Sequence, residues 1–316
     1  MKKIVICLLM MIVIMTGCGK HPGQEVKSIG INQFVEFAAL DQCREGFIQA
    51  LEDNGYIDGE NINIDYQNGQ GDMNVTQTIS KKFVSDKKDL IFAIATPSAQ
   101  ASYNATKEIP IIISAVTDPV AAGIVKSLDK PETNVSGTSD YLPVEKQLNL
   151  IKELAPNAKT IGVLYNTSEV NSEVQIEELK KVAEGYEVVS LGVTSTNEVN
   201  NAINSLVKKI DVLYVPTDNL VVSSMPIIVK NTLEAKIPII ASDQGSVESG
   251  ALATAGINYY KLGYDTGLMA VDVLKGADIS EMPIKTSDET DVFINENTLK
   301  ALNIPTPTIE NIIYVN

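Results

Sequence analysis

The sequence is poor in the groups that most enzymes use. It has one histidine in 316 residues, His21, together with no tryptophan and three cysteines. Because His21 stands close to the N-terminus, the folded body offers no imidazole for a Ser/His/Asp or Cys/His set or for a His-bearing metal site. Catalysis of those kinds is excluded, and neither a metal nor a cofactor is expected. Basic residues are also scarce: 25 Lys and Arg face 40 Asp and Glu, for a net charge of −15. Nucleic acid, which is held through phosphate contacts to basic side chains, is therefore not an expected partner. No GxxxxGK[ST] phosphate loop and no regular acidic metal loop occurs. Most of the acidic side chains read as a solvated face.

What is present begins with a leader. Lys2 and Lys3 precede an apolar run from Ile4 to Met15, then Thr16 and Gly17 stand before Cys18. The run of about 12 residues is shorter than the roughly 20 that span a bilayer, so residues 1–17 read as a signal peptide. Thr16, Gly17 and Cys18 resemble a bacterial lipobox, which implies a lipid-carrying Cys18 as the mature N-terminus. The alternative is ordinary secretory cleavage with an incidental cysteine. Residues 18–25 are polar and aperiodic, as a tether would be, and the expected location is the extracytoplasmic face of the cell membrane, held through lipid. Cys7 leaves with the leader, so Cys43 is the one thiol of the folded body. Its spacing from Leu40, Phe47 and Leu51 puts it on the apolar face of a helix, where it reads as buried and inert.

The body, 44% hydrophobic over the whole chain, alternates strand and helix twice. Strands are expected over 26–31, 61–66, 89–95 and 110–116, with helices over 38–51, 72–84, just after Thr96 and over 120–128. The pattern restarts with strands over 160–165, 187–191, 211–215, 237–241 and 251–254, and helices over 146–154, 173–183, 199–207, 224–235 and 259–274. Such alternation implies parallel sheets with helices on both faces. The expected fold is α/β with two Rossmann-like lobes. Residues 26–141 with 257–277 form the first, and 142–256 with 278–316 the second. The polar stretch 134–143 is the seam, and further crossings near 255–258 and after Gly276 give three connections.

Ligands of open parallel sheets bind beyond the carboxyl ends of the strands, where helix N-termini expose N–H groups. The residues at these handovers are Thr96 and Ser98, Thr117 and Asp118, Asn166 and Glu169, Asp218 and Asn219, and Asp243. Each is also an ordinary helix-capping type. Together they bring hydroxyls, amides and carboxylates from both lobes toward one edge, as a cleft would require.

Several segments in this order resemble one family: ALDQCREG at 39–46, ATPSA at 95–99, IPIIISAVTDPVAA at 109–122, NVSGTSD at 134–140, VLYNTSEVNS at 163–172, LYVPTDNLV at 213–221, IPIIASD at 237–243 and GALATAGINYYKLG at 250–263. They are similar to the tryptophan/tyrosine-type substrate-binding lipoproteins of ABC transporters. The resemblance implies a type I periplasmic-binding fold, a monomer, and an aromatic amino acid captured between the lobes for a permease and its ATPase. A ligand sensor of the same fold is the alternative. It further implies that Thr96, Ser98, Thr138 and Ser139 receive the ligand carboxylate and that Asp218, helped by Glu169, pairs with the ammonium. Gln33, Phe34, Glu36 and Phe37 would shape the side-chain pocket, with Tyr165 as a second wall.

Overall fold

The computed structural model describes residues 26–287, 289–309 and 311–316. The expected signal peptide, tether and Cys18 anchor lie outside the described residues.

In the first lobe the chain runs β1 (Lys27–Gln33), α1 (Ala38–Asp53), β2 (Ile62–Asn68), α2 (Met73–Ser85), β3 (Leu90–Ile94), α3 (Thr96–Ala105), β4 (Ile111–Ser114) and β5 (Val135–Ser139). The second lobe runs α4 (Glu145–Leu154), β6 (Thr160–Asn166), α5 (Val170–Val182), β7 (Glu187–Val193), α6 (Thr196–Leu206), β8 (Val212–Tyr214), α7 (Asn219–Ser223), α8 (Met225–Ala235), β9 (Ile239–Ile240), α9 (Gln244–Glu248) and β10 (Ala253–Gly256). The chain then returns through α10 (Tyr259–Leu274) and β11 (Lys285–Thr286) to the first lobe. It ends in the second with β12 (Asp291–Asn295), α11 (Glu296–Ala301) and β13 (Ile312–Val315).

The first sheet has the order β11-β5-β4-β3-β1-β2 and the second β13-β12-β10-β9-β8-β6-β7. All pairings are parallel except β10 with β12. Central strands such as β3 (LIFAI) and β4 (IIIS) are buried along their whole length, which is why they read as unbroken apolar runs. Each sheet carries an apolar layer on both faces. In the first lobe α1 supplies one layer from Leu40, Cys43, Phe47 and Leu51, and Phe47 stacks on Phe92 of β3 at 3.9 Å between ring centroids.

Three sequence expectations are corrected. Residues 120–128 form turns, not a helix: Asp118 caps Val120 and Ala121, but the chain then turns at Gly123 with φ +72°. The polar stretch taken as a seam holds strand β5, buried at all five positions. Its hydroxyls can be buried because each finds a partner: Thr138 bridges Ser114 and Thr266, and Ser136 donates to Met282 O. Finally, β11 pairs with β5, so residues 278–286 sit with the first lobe and the last crossing follows β11 rather than Gly276.

Helices α1 and α10 pack backbone to backbone through glycines. A Cβ on Gly263 would lie 2.0 Å from Cys43 O, and one on Gly46 would lie 2.1 Å from Tyr260 O. An exposed mid-helix glycine gains about 1 kcal/mol when replaced by alanine. Here the sign reverses, and Gly263→Ala is expected to destabilise the fold by about 1 to 3 kcal/mol, the usual cost of overpacking. Urea unfolding checks this; a gain in stability would contradict the contact.

Candidate functional site

The carboxyl ends of the two sheets face each other across a small cavity of about 20 Å³, room for about one water-sized group in this closed form. The first lobe lines it with Phe37, Leu40, Ala115, Asp140 and Tyr259, and the second with Asn171, Thr217, Asn219, Val222 and Asp243. The wall thus offers apolar and aromatic surface, amides, one threonine hydroxyl and two carboxyls, with no Lys or Arg among its residues.

Two atoms of this wall stand out. Asp140 Oδ2 accepts from Tyr259 Oη at 3.0 Å, while Asp140 Oδ1 is buried with no partner. Asn171 donates its Nδ2 to Thr217 O at 2.8 Å and to Glu169 Oε2 at 3.3 Å, which leaves Asn171 Oδ1 buried and unpartnered as well. Buried polar atoms without partners are rare in folded proteins. Both of these are acceptors, so the missing partner is a donor. Burial pushes the Asp140 carboxyl above the usual aspartate range, against the pull of the Thr117 and Tyr259 hydroxyls. Asp243 is also raised by burial, but it is already occupied: Ser246 N and Ser246 Oγ donate to it at 2.8 and 2.5 Å.

The lobes meet around the cavity. Thr117 Oγ1 of the first lobe and Thr217 Oγ1 of the second are 2.9 Å apart. Gln175 Nε2 donates to Thr217 Oγ1 at 2.6 Å and so fixes that hydroxyl. Phe37 packs against the cores of both lobes. This is a closed arrangement.

Of the sixteen binding residues expected from the sequence, Phe37, Asn219 and Asp243 line the cavity. Asp218 does not, and its carboxylate is fully engaged: Asn166 N and Ser172 Oγ donate to Oδ2 at 2.6 Å each, and Val221 N donates to Oδ1 at 2.9 Å. It caps α7 and is not among the residues of the cavity wall in this closed form. Glu169 lies behind the wall, receiving N–H groups from Asn166, Asn171, Asn219 and Leu220. Burial and the neighbouring Asp218 push its carboxyl up to about 8, while these donors pull it down. We take the charged form, because a carboxyl proton there would meet only N–H groups.

The remaining expectations resolve as follows. Phe34 is core, 4% exposed, and not a pocket wall. Gln33 is bound to Arg44, Asp41 and Val35 O, and the exposed Glu36 accepts from Tyr66 Oη. Thr138 belongs to the Ser114–Thr266 hydroxyl chain, and Ser139 donates to Thr117 O and accepts from Tyr141 N. Neither is left for a carboxylate. Thr96 and Ser98 are buried at the start of α3, away from the cavity wall. Asp118 caps the turn after β4, Asn166 bridges Asp218 and Glu169, and Tyr165 packs on the second-lobe core. Asp140, Tyr259 and Asn171 were not anticipated. Asp140 follows a strand directly, the very position inspected elsewhere, but its strand was read as a linker.

Among the described residues no group of His, Cys, Asp and Glu could hold a metal ion, and no helix is long and apolar enough to cross a membrane. Cys43 is fully buried, and burial pushes its thiol to about 12, which leaves it unreactive.

Two parallel-sheet lobes shut over a cavity with unsatisfied acceptors define a solute-binding protein. Residues 28–314 match the family described as ABC transporter substrate binding protein, and the chain belongs to that family. It is 58% identical to a tyrosine-binding protein of Clostridioides difficile (strain R20291), over 95% of this chain and 91% of the relative. Among solved structures, it matches a Streptococcus pneumoniae ABC domain in complex with L-Trp with a TM-score of 0.88 and 40% identity, over 91% of this chain and 99% of that one. A ligand-free, open substrate-binding protein with adhesive properties from Clostridium difficile is 64% identical but has a TM-score of 0.70, covering 92% of this chain and 99% of its own. The order of structural similarity is the reverse of the order of identity. A leucine-binding protein of Thermotoga maritima, at 16% identity and a TM-score of 0.60 over 79% of this chain and 83% of its own, shares the type I periplasmic-binding fold. The chain is therefore a substrate-binding protein of an ABC transporter, acting outside the cytoplasm, and not an enzyme.

The Thr117–Thr217 contact gives a prediction. Thr217→Val removes one neutral interlobe hydrogen bond, about 0.5 to 1.5 kcal/mol, and should speed ligand dissociation roughly three- to tenfold. Stopped-flow dissociation measures this, and an unchanged rate would show that the contact adds nothing to closure.

Proposed function

We propose that this chain captures an aromatic amino acid between its lobes and delivers it to a membrane permease powered by an ATPase, for import. The observation that carries the reading is the pair of buried, unpartnered acceptors, Asp140 Oδ1 and Asn171 Oδ1, on a cavity wall without Lys or Arg. An ammonium group supplies the donors both lack, and its charge offsets the cost of burying the Asp140 carboxylate. The ligand carboxylate is left to neutral donors. The side chain lies against Phe37 and Tyr259, where ring contacts add about 0.5 to 1.5 kcal/mol per pair beyond area burial. The relatives named for tyrosine and crystallised with L-Trp support an aromatic ligand. In a sequence without Trp, Phe and Tyr must provide those contacts.

Asp140→Asn keeps the shape but removes the charge. It should weaken amino-acid binding about tenfold or more, as expected for a charge-assisted hydrogen bond, with thermal stability retained. In the wild type, binding should need the ionised carboxyl. Affinity should hold at neutral pH and fall as pH drops through the Asp140 pKa, which burial places above the usual aspartate range. Calorimetry across a pH series reads both effects, and a pH-independent affinity equal in the variant would remove Asp140 from the site.

The lipid anchor is a separate part of the proposal. Cys18→Ala should move the protein from the membrane fraction to the soluble one, as seen by fractionation and immunoblotting. Continued membrane association would rule out an anchor at that cysteine.

A further inference from the structure

We infer that Glu169 decides which ends of Asn171 and Asn219 face the cavity, and so makes the site accept an ammonium group; this rests on the amino-acid reading above. Glu169, 2% exposed, occupies the N-cap of α5 and does not line the cavity. Its oxygens receive five N–H groups. Oε1 takes Asn166 Nδ2 at 3.1 Å and Leu220 N at 3.3 Å, and Oε2 takes Asn171 Nδ2 at 3.3 Å, Asn219 N at 3.0 Å and Asn219 Nδ2 at 2.5 Å.

An asparagine amide has a donor end and an acceptor end. Glu169 draws both Nδ2 groups back onto one oxygen, and for Asn171 the Thr217 carbonyl, at 2.8 Å, draws the same group the same way, so both amides of the cavity wall keep the acceptor end free. Asn171 Oδ1 is the atom this leaves buried and unpartnered beside the cavity. Asp218, its acidic neighbour, cannot take over, because Asn166 N, Ser172 and Val221 occupy it. The carboxylate therefore acts through the two amides without touching the ligand. It is a positioning residue for specificity.

Glu169→Gln would set an NH2 group among N–H donors. The least costly repair is to flip Asn219, whose Nδ2 is held by Glu169 alone while Thr217 O also holds Asn171, and the flip turns a donor toward the ammonium. The test compares L-tyrosine with its deamino analogue, 3-(4-hydroxyphenyl)propionate, by calorimetry on the wild type and on Glu169→Gln. The wild type should prefer tyrosine. The variant should lose about tenfold or more of tyrosine affinity, the scale of a charge-assisted hydrogen bond, with little change for the analogue, so that the preference collapses. A merely structural role would weaken both ligands alike, and a variant keeping the full preference would overturn the inference. A wild type without preference would instead overturn the amino-acid reading itself. If the variant does not fold, as judged by circular dichroism, the wild type answers directly. The side-chain NH2 resonances of Asn171 and Asn219 should show no contact with bound tyrosine, and such a contact would overturn the assignment.

Discussion

The closed cavity buries acids without a base, and most of what the site does follows from that. Asp140 and Asp243 are 4% and 3% exposed on a wall with no Lys or Arg. A carboxylate removed from water costs several kcal/mol unless its oxygens find partners. Asp243 finds them within its own helix start, at Ser246. Asp140 takes Tyr259 on Oδ2 and is drawn by the Thr117 hydroxyl, yet its Oδ1 has no hydrogen-bond partner. The shut form is thus complete only when something outside the chain supplies the remaining donor. Behind the wall Glu169 and Asp218 are equally buried, but their donors all come from the second lobe itself. The same residue type thus serves as structure in one place and as an open valence in another, and only the count of local donors separates the two.

That distinction explains how far the sequence could be read. The two lobes, their alternation and most of their strands were legible because apolar runs and helical spacing report burial directly, as in LIFAI and IIIS. The rule that ligands sit beyond strand ends drew attention to Asp243 and Asn219, and the family resemblance to Phe37, all three of which line the cavity. It could not tell Asp218 from Asp140, since both follow strands and both are aspartates. What separates them is three-dimensional: Ser172, Asn166 N and Val221 N converge on the one and not on the other. Strand β5 was missed because VSGTS carries hydroxyls where a buried strand is expected to carry aliphatic side chains. Those hydroxyls pair with groups distant in sequence, Ser114, Thr266 and Met282 O, and no periodicity records such pairings.

The hydroxyl pairs and glycine contacts of the first lobe also hold Asp140 in place. Gly137, with φ +144°, lies so close to the Ile113 backbone that a Cβ would come within 2.1 Å of Ile113 O. Thr138 ties β5 to β4 on one side and to α10 on the other. Helix α10, pressed against α1 by Gly263 and Gly46, in turn carries Tyr259 at its first position. Asp140 and Tyr259 therefore leave one packed unit side by side, and their hydrogen bond is a consequence of that packing rather than of local sequence, the two being 119 residues apart.

Closure must nevertheless remain reversible, because a binding protein that cannot open cannot take up its substrate. Polar contacts between the lobes are the hydroxyl pair Thr117 with Thr217, worth about 0.5 to 1.5 kcal/mol, and Tyr141 Oη donating to Glu178 Oε1 at 2.9 Å. Phe37, packed on both cores, adds apolar contact, and a group that binds the closed form and not the open one shifts the balance further toward closure. A donor placed between Asp140 of the first lobe and Asn171 of the second has that property. It meets both acceptors only when the lobes are together, and either lobe alone offers it a single partner. The modest polar contact between the lobes and the unpartnered acceptors on the two sides fit the proposed reading, in which the ligand helps to hold the lobes together.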